Sequence, residues 1–177
     1  MTRSSTLAFM SIKSVPTDSG RSLAYSDSGG GTLGTLVFHA GTPDGLGTYD
    51  PFAEAVADVG MRLVSIARPG YESSTRHPGR SVADVVDDVE VVLDSLGIEE
   101  YVAMGWSGGG PHALACRAVS PPRCTGAVLV ASIAPFDVPE LDFFDGMGED
   151  NAVGFRLAVE GETSLVPYLE QAAPAFR

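Results

Sequence analysis

A chain of 177 residues, 44% hydrophobic and 19% charged, has the size and composition of one folding domain with a real core, and not of a disordered segment. Its formal net charge of -12 argues against nucleic acid and anionic membranes as partners, because phosphate recognition needs clustered Lys and Arg. The apolar patch Leu7–Met10 is too short for an export-signal core or a membrane span, so a cytoplasmic location is expected, with Cys116 and Cys124 as reduced, core-filling thiols.

In chain order, short strands are expected at 11–15 and 22–26, followed by a regular alternation of strand and helix that predicts a mostly parallel sheet with flanking helices. The β-rich run Thr35 to His39 feeds the turn Gly41-Thr42-Pro43-Asp44-Gly45. Asp50-Pro51 caps a helix whose Phe52, Val56 and Val59 share a face and which Gly60 stops. A strand follows at 61–67, closed by Arg68-Pro69-Gly70. Ser81 with Asp84 resembles a capping box before Val82, Val85, Val86, Val89, Leu93 and Leu96 at helical spacing. Further elements are a strand at 101–106, a helix at 111–119 and a strand at 126–131. Beyond Pro135 the strand rhythm gives way to acidic and aromatic residues, with helices expected around 151–159 and 163–172. Two regions result, 1–135 and 136–177, and the final Pro174-Ala175-Phe176-Arg177 carries no stop signal.

The chemistry concentrates in Gly105-Trp106-Ser107-Gly108-Gly109, a G-x-S-x-G pattern set between an apolar strand and a helix. That context requires a sharp turn which lifts the Ser107 hydroxyl above the sheet, and it requires small residues at 105 and 109 where a β-carbon would collide with neighbouring backbone. Ser107 is the expected nucleophile. The Gly108 N–H, at the head of the helix, is the first expected oxyanion donor, and Thr42, after Gly41 in the loop following His39, supplies the second. Trp106 either lines an acyl pocket or packs on the sheet. His39 reads as a loop anchor bonded to backbone, and His77 as a solvated loop residue.

These residues carry a resemblance to the α/β-hydrolase fold family, specifically to serine hydrolases of the actinobacterial esterase or peptidase-like type. His39-Ala40-Gly41-Thr42-Pro43 resembles the family's H-G-x-P oxyanion loop, and Arg68-Pro69-Gly70-Tyr71 with Ser73 resembles its D-R-P-G-x-G-x-S turn. Gly105 to Gly110 resembles its nucleophile elbow. Ala67 and Glu72 stand where the family usually has Asp and Gly. The resemblance implies that 136–177 begins a helical cap. It also implies that serine at position 107 separates the chain from dehalogenases and epoxide hydrolases, which place Asp there.

In this fold the acid and the histidine of the triad follow the serine. Only His112 follows Ser107, and about 7 Å of helical rise carries it away from the elbow. No triad acid or histidine is therefore assigned within the chain, which is expected to be a C-terminally truncated piece of a longer hydrolase with negligible turnover by itself. Its last strand is expected to expose an apolar sheet edge and to promote self-association. The leading function is hydrolysis of an ester-like acyl substrate, a small molecule, through an acyl-enzyme on Ser107. Alternatives are a non-catalytic protein that holds a small ligand in a hydrolase-like core, and a subunit whose acid and base come from another chain. No cofactor is implied and no metal site is indicated, since His39, His77 and His112 are dispersed. The acidic residues from Asp137 to Asp150 read as a solvated face.

Overall fold

The computed structural model describes residues 11–47 and 50–176. They divide into two compact units, Met1–Ile133 and Ala134–Arg177. The expected apolar patch at 7–10 lies outside the described residues.

Alternating β-branched runs and amphipathic segments in the first unit become strands β1 (Lys13–Pro16), β2 (Ser22–Asp27), β3 (Thr35–His39), β4 (Arg62–Ile66), β5 (Tyr101–Trp106) and β6 (Cys124–Val130). The helices between them are α1 (Asp50–Asp58), α2 (Val85–Ser95) and α3 (Gly110–Val119). The sheet order is β1-β2-β4-β3-β5-β6. The β1–β2 and β2–β4 pairs are antiparallel, and β4, β3, β5 and β6 run parallel. The result is the expected mostly parallel sheet, with helices on both faces.

The period-2 alternation of a strand divides the core between the two faces. From β3, Val37 joins Val64, Ala103, Val89, Val92, Ala113 and Cys116, packing α2 and α3 against one side. Its neighbours Leu36 and Phe38 join Leu63, Val56 and Phe52 against α1 on the other. Three polar ties brace the margins. Asp27 accepts both arms of the Arg62 fork, at 2.7 and 2.9 Å, and the Lys13 ammonium at 3.3 Å. Arg21 forms a two-point pair with buried Asp88. Arg123 pairs with Glu90 and Asp94.

Several expectations at element ends are corrected. Val59 is 59% exposed, so α1 buries Val56 with Phe52 and ends at Asp58. Asp84 does take hydrogen bonds from the Ser81 N–H and hydroxyl, but α2 begins only at Val85, after a turn closed by Val86 N–H on the Ala83 carbonyl. A capping pair thus closes the approach to the helix and not its first turn. β6 starts at Cys124, ahead of the glycine at which a strand was expected to begin.

The second unit contains α4 (Glu149–Glu160) and α5 (Glu162–Ala172), which meet at Gly161, where φ is 115°. Phe143 makes edge contacts with Phe136, Phe144 and Phe155 at centroid distances of 5.1 to 5.2 Å. The Arg156 guanidinium lies 4.5 Å from the centre of the Phe144 ring. Among the described residues no helix is long and apolar enough to cross a membrane.

Candidate active site

From β3 the chain moves outward to β4 and then returns to the other side of β3 as β5. At such a reversal the loops leaving two neighbouring parallel strands diverge, and the crevice between their carboxyl ends is where this class of sheet binds ligands. The two loops here are Ala40–Gly47 after β3 and the turn after β5, set side by side by the pairing of His39 with Gly105.

Ser107 sits at the top of β5 with φ of 50°, a left-handed conformation that a residue with a β-carbon holds at a cost of about 1–2 kcal/mol. A single 3-10 turn, Ser107–Gly109, carries the chain into α3, so Gly108 lies in that turn and the α-helix begins at Gly110, one residue ahead of the expected 111. The glycines explain why the bend fits. A β-carbon on Gly105 would stand 2.4 Å from the Gly109 carbonyl oxygen, and one on Gly109 would stand 2.0 Å from the His39 carbonyl oxygen. Gly110, which the sequence pattern did not single out, is as crowded: its β-carbon would meet the Ser132 hydroxyl at 1.9 Å.

The expected donor residues converge on this turn. A β-carbon on Gly41 would lie 3.4 Å from the Ser107 Cβ, and one on Gly108 would lie 3.6 Å from the Thr42 amide nitrogen. Gly108 belongs to the 3-10 turn that leads into α3, and N–H groups at such a start have no acceptor within the turn. Among the described residues no carbonyl accepts the Thr42 N–H. Ser107 is half-buried and Thr42 exposed. Trp106, beside Ser107, is 45% exposed.

Two residues whose role the sequence did not reveal hold the loops. Arg68, only 3% exposed, donates to the Ala40 carbonyl and, at 2.9 Å, to the Gly41 carbonyl, while its guanidinium lies 5.1 Å from the centre of the Tyr71 ring. Ser74, not Ser73, is the buried serine of the turn after β4. Its hydroxyl donates to the Ala67 carbonyl at 2.7 Å and accepts the Ala24 N–H at 2.8 Å. Glu72, standing where the family has glycine, adopts φ of 47°. The turn therefore keeps the backbone shape that glycine would favour. Counting the motif from Ala67, its first position, to the eighth would have found Ser74; the only signal for Arg68 was its place in that motif.

Among the described residues, none of the three histidines contacts the Ser107 hydroxyl. His112 lies over the turn with Nδ1 3.1 Å from the Gly108 carbonyl and Nε2 3.4 Å from Arg80 Nη1. These partners fix a neutral ring, Nδ1–H donating and Nε2 accepting. Burial, then the charge of Arg68, lowers its pKa to about 4. His39 is fully buried at the end of β3, with Nε2 3.5 Å from Cys116 Sγ and, among the described residues, no partner for Nδ1. The expectation that it bonds to backbone is thus corrected, and burial drives its pKa down to about 3. Burial also pushes the Cys116 thiol up to about 12. Among the described residues there is no group of three or more His, Cys, Asp or Glu able to hold a metal ion.

Comparison with known proteins places these features. The profile of the family described as alpha/beta hydrolase fold matches residues 34–149. The chain is 28% identical over 138 residues to the bifunctional esterase/perhydrolase DCH of Acinetobacter calcoaceticus, covering 77% of this chain and 50% of that protein. It is 30% identical over 115 residues to the hydrolase YcgS of Bacillus subtilis, covering 64% and 39%. It is 33% identical over 96 residues to epoxide hydrolase B of Mycobacterium tuberculosis, covering 52% and 27%. The chain thus spans half or less of the length of these relatives. Among solved structures, the esterase EaEST from Exiguobacterium antarcticum superposes with a TM-score of 0.66 at 19% identity over 89% of this chain and 60% of that one, a likeness of fold.

Proposed function

Since the chain belongs to the α/β-hydrolase fold family, we propose that it is a serine hydrolase acting on small ester-like acyl substrates through an acyl-enzyme on Ser107. The observation that carries this reading is the left-handed backbone of Ser107 at the carboxyl end of β5, with the amides of Gly108 and Thr42 beside it. A strained backbone at a strand-to-helix turn, in a crevice between two loops, is the geometry that presents a nucleophile.

On this reading Oγ of Ser107 bonds to the acyl carbon, the carbonyl electron pair moves onto oxygen, and the Gly108 and Thr42 N–H groups stabilise that oxyanion. Collapse of the intermediate expels the alcohol, which takes the proton released by Oγ, and water then cleaves the acyl-enzyme. The relatives' names include both esterase and epoxide hydrolase; a hydroxyl nucleophile flanked by two main-chain donors favours acyl transfer. A hydroxyl also needs a proton acceptor. His112 and His39 are neutral and turned to other partners, so we propose negligible steady-state turnover for the 177-residue chain by itself.

Exposing the purified chain to excess aryl fluorophosphonate and mapping the adduct by mass spectrometry tests the reading. The adduct is expected on Ser107, to form faster when imidazole supplies a base, and to be absent from Ser107→Ala. An unmodified Ser107, or labelling no faster than at surface serines, would favour the non-catalytic ligand-binding alternative.

A further inference from the structure

Arg68 is a cation almost wholly removed from water, yet among the described residues it forms no ion pair with a carboxylate. Such a burial is strongly unfavourable unless the donors find other acceptors. Here Nη1 and Nη2 take two consecutive main-chain carbonyls, Ala40 and Gly41, and the ring of Tyr71 covers the guanidinium. The second carbonyl matters most. The Gly41 C=O and the Thr42 N–H belong to one peptide unit, and that unit is trans, so the two bonds point in opposite directions. Fixing the carbonyl fixes the direction of the N–H.

We infer that Arg68 is a positioning residue which, by clamping the Gly41 carbonyl with its guanidinium fork, turns the Thr42 N–H toward the Ser107–Gly108 turn. The inference rests on the reading of Ser107 as nucleophile and adds the element that aligns its second oxyanion donor. Two consequences follow. The loop after β3 has no helix to orient its amides, unlike Gly108, so the clamp replaces that support. A charged donor on the carbonyl also polarises the peptide and strengthens the N–H at its other end. Arg suits the task because its planar fork spans two acceptors, whereas the Lys ammonium is a single point on a flexible stem.

The experiment compares wild type with Arg68→Met, Arg68→Lys and Arg68→Ala by two readouts: the labelling rate of Ser107 with an aryl fluorophosphonate, and the amide resonance of Thr42 with the carbonyl-carbon resonance of Gly41. Arg68→Met is expected to slow labelling about 10- to 100-fold and to shift both resonances, with the β-sheet resonances unchanged. Arg68→Lys is expected to recover only part of the rate. Methylguanidinium at millimolar concentration is expected to restore labelling to Arg68→Ala and not to Arg68→Met, whose side chain fills the space, an effect that a merely structural role would not produce. If Arg68→Met does not fold, the Lys and Ala variants decide.

Labelling within twofold of wild type in the folded variants, with the Thr42 and Gly41 resonances unmoved, overturns the inference. The reading of Ser107 fails separately, and earlier, if wild type is labelled no faster than Ser107→Ala.

Discussion

Gly109 and the carbonyl of His39 approach so closely that a β-carbon on the glycine would stand 2.0 Å from the carbonyl oxygen. The end of β3 and the turn after β5 are thereby locked together at the point where the two loops of the crevice diverge. Gly109→Ala must push the two apart. It is expected to cost about 2–3 kcal/mol of unfolding free energy and to abolish labelling of Ser107. Gly126→Ala is the control, since its β-carbon meets nothing nearer than 3.9 Å. Urea unfolding of both variants checks this, and a Gly109→Ala midpoint equal to wild type would show that the contact yields without cost.

Glu72 holds a left-handed φ of 47° in an exposed turn. Glu72→Gly relieves that strain at some cost in unfolded-chain entropy. The net expectation is a gain of about 0.5 kcal/mol, read as a raised thermal midpoint. A lowered midpoint would mean that the carboxylate side chain makes a contribution its backbone strain conceals.

Acid stability has two windows. His39 and His112 are neutral in the folded chain, with pKa values lowered to about 3 and about 4, whereas in the unfolded chain they bind protons near 6.5. Below about pH 6.5 the unfolded state therefore holds more protons. Stability is complete above that pH and falls by about 1.4 kcal/mol per pH unit for each histidine as pH drops toward 4. Denaturant titrations across this range are expected to show a shallower slope for His112→Gln than for wild type. The second window belongs to Asp27, whose carboxyl the Arg62 fork holds down at about 2. Its contribution is present above about pH 4 and is lost as pH falls through about 2, a loss that Asp27→Asn should not show. Equal pH dependence of wild type and both variants would contradict these assignments.

We propose self-association through β6. Within the described sheet this strand pairs only with β5, and Val128, Leu129 and Val130 are 46, 44 and 39% exposed. An unpaired apolar edge invites another chain. Sedimentation velocity over a concentration series is expected to reveal dimers or larger species, and Leu129→Lys is expected to weaken them. A monomer at all concentrations would remove the proposal.

What the sequence disclosed depended on how local the responsible signal was. The bend at Ser107 was readable because strand, glycines and helix lie within a few consecutive residues. The unbroken apolar run Leu36-Val37-Phe38 likewise declared a buried strand. Arg68 was opaque because its acceptors lie 27 and 28 residues away, and no pattern links a basic residue to distant carbonyls. The partner of His39 was hidden for the same reason: Cys116 is 77 residues distant. Ends of elements shifted where a turn competed with the helix, as at Ser81 and Asp84, or where tertiary packing left a periodic residue such as Val59 in water.

The two amides beside Ser107 are main-chain groups, and this sets what mutation can reach. No side-chain replacement at positions 42 or 108, short of proline, deletes either N–H; it can only shift where the proton points. The surrounding loop side chains are free of that restraint. If the proposed reading of Ser107 holds, a lineage built on this crevice can exchange its choice of molecule many times over while the main-chain donors pass down unaltered.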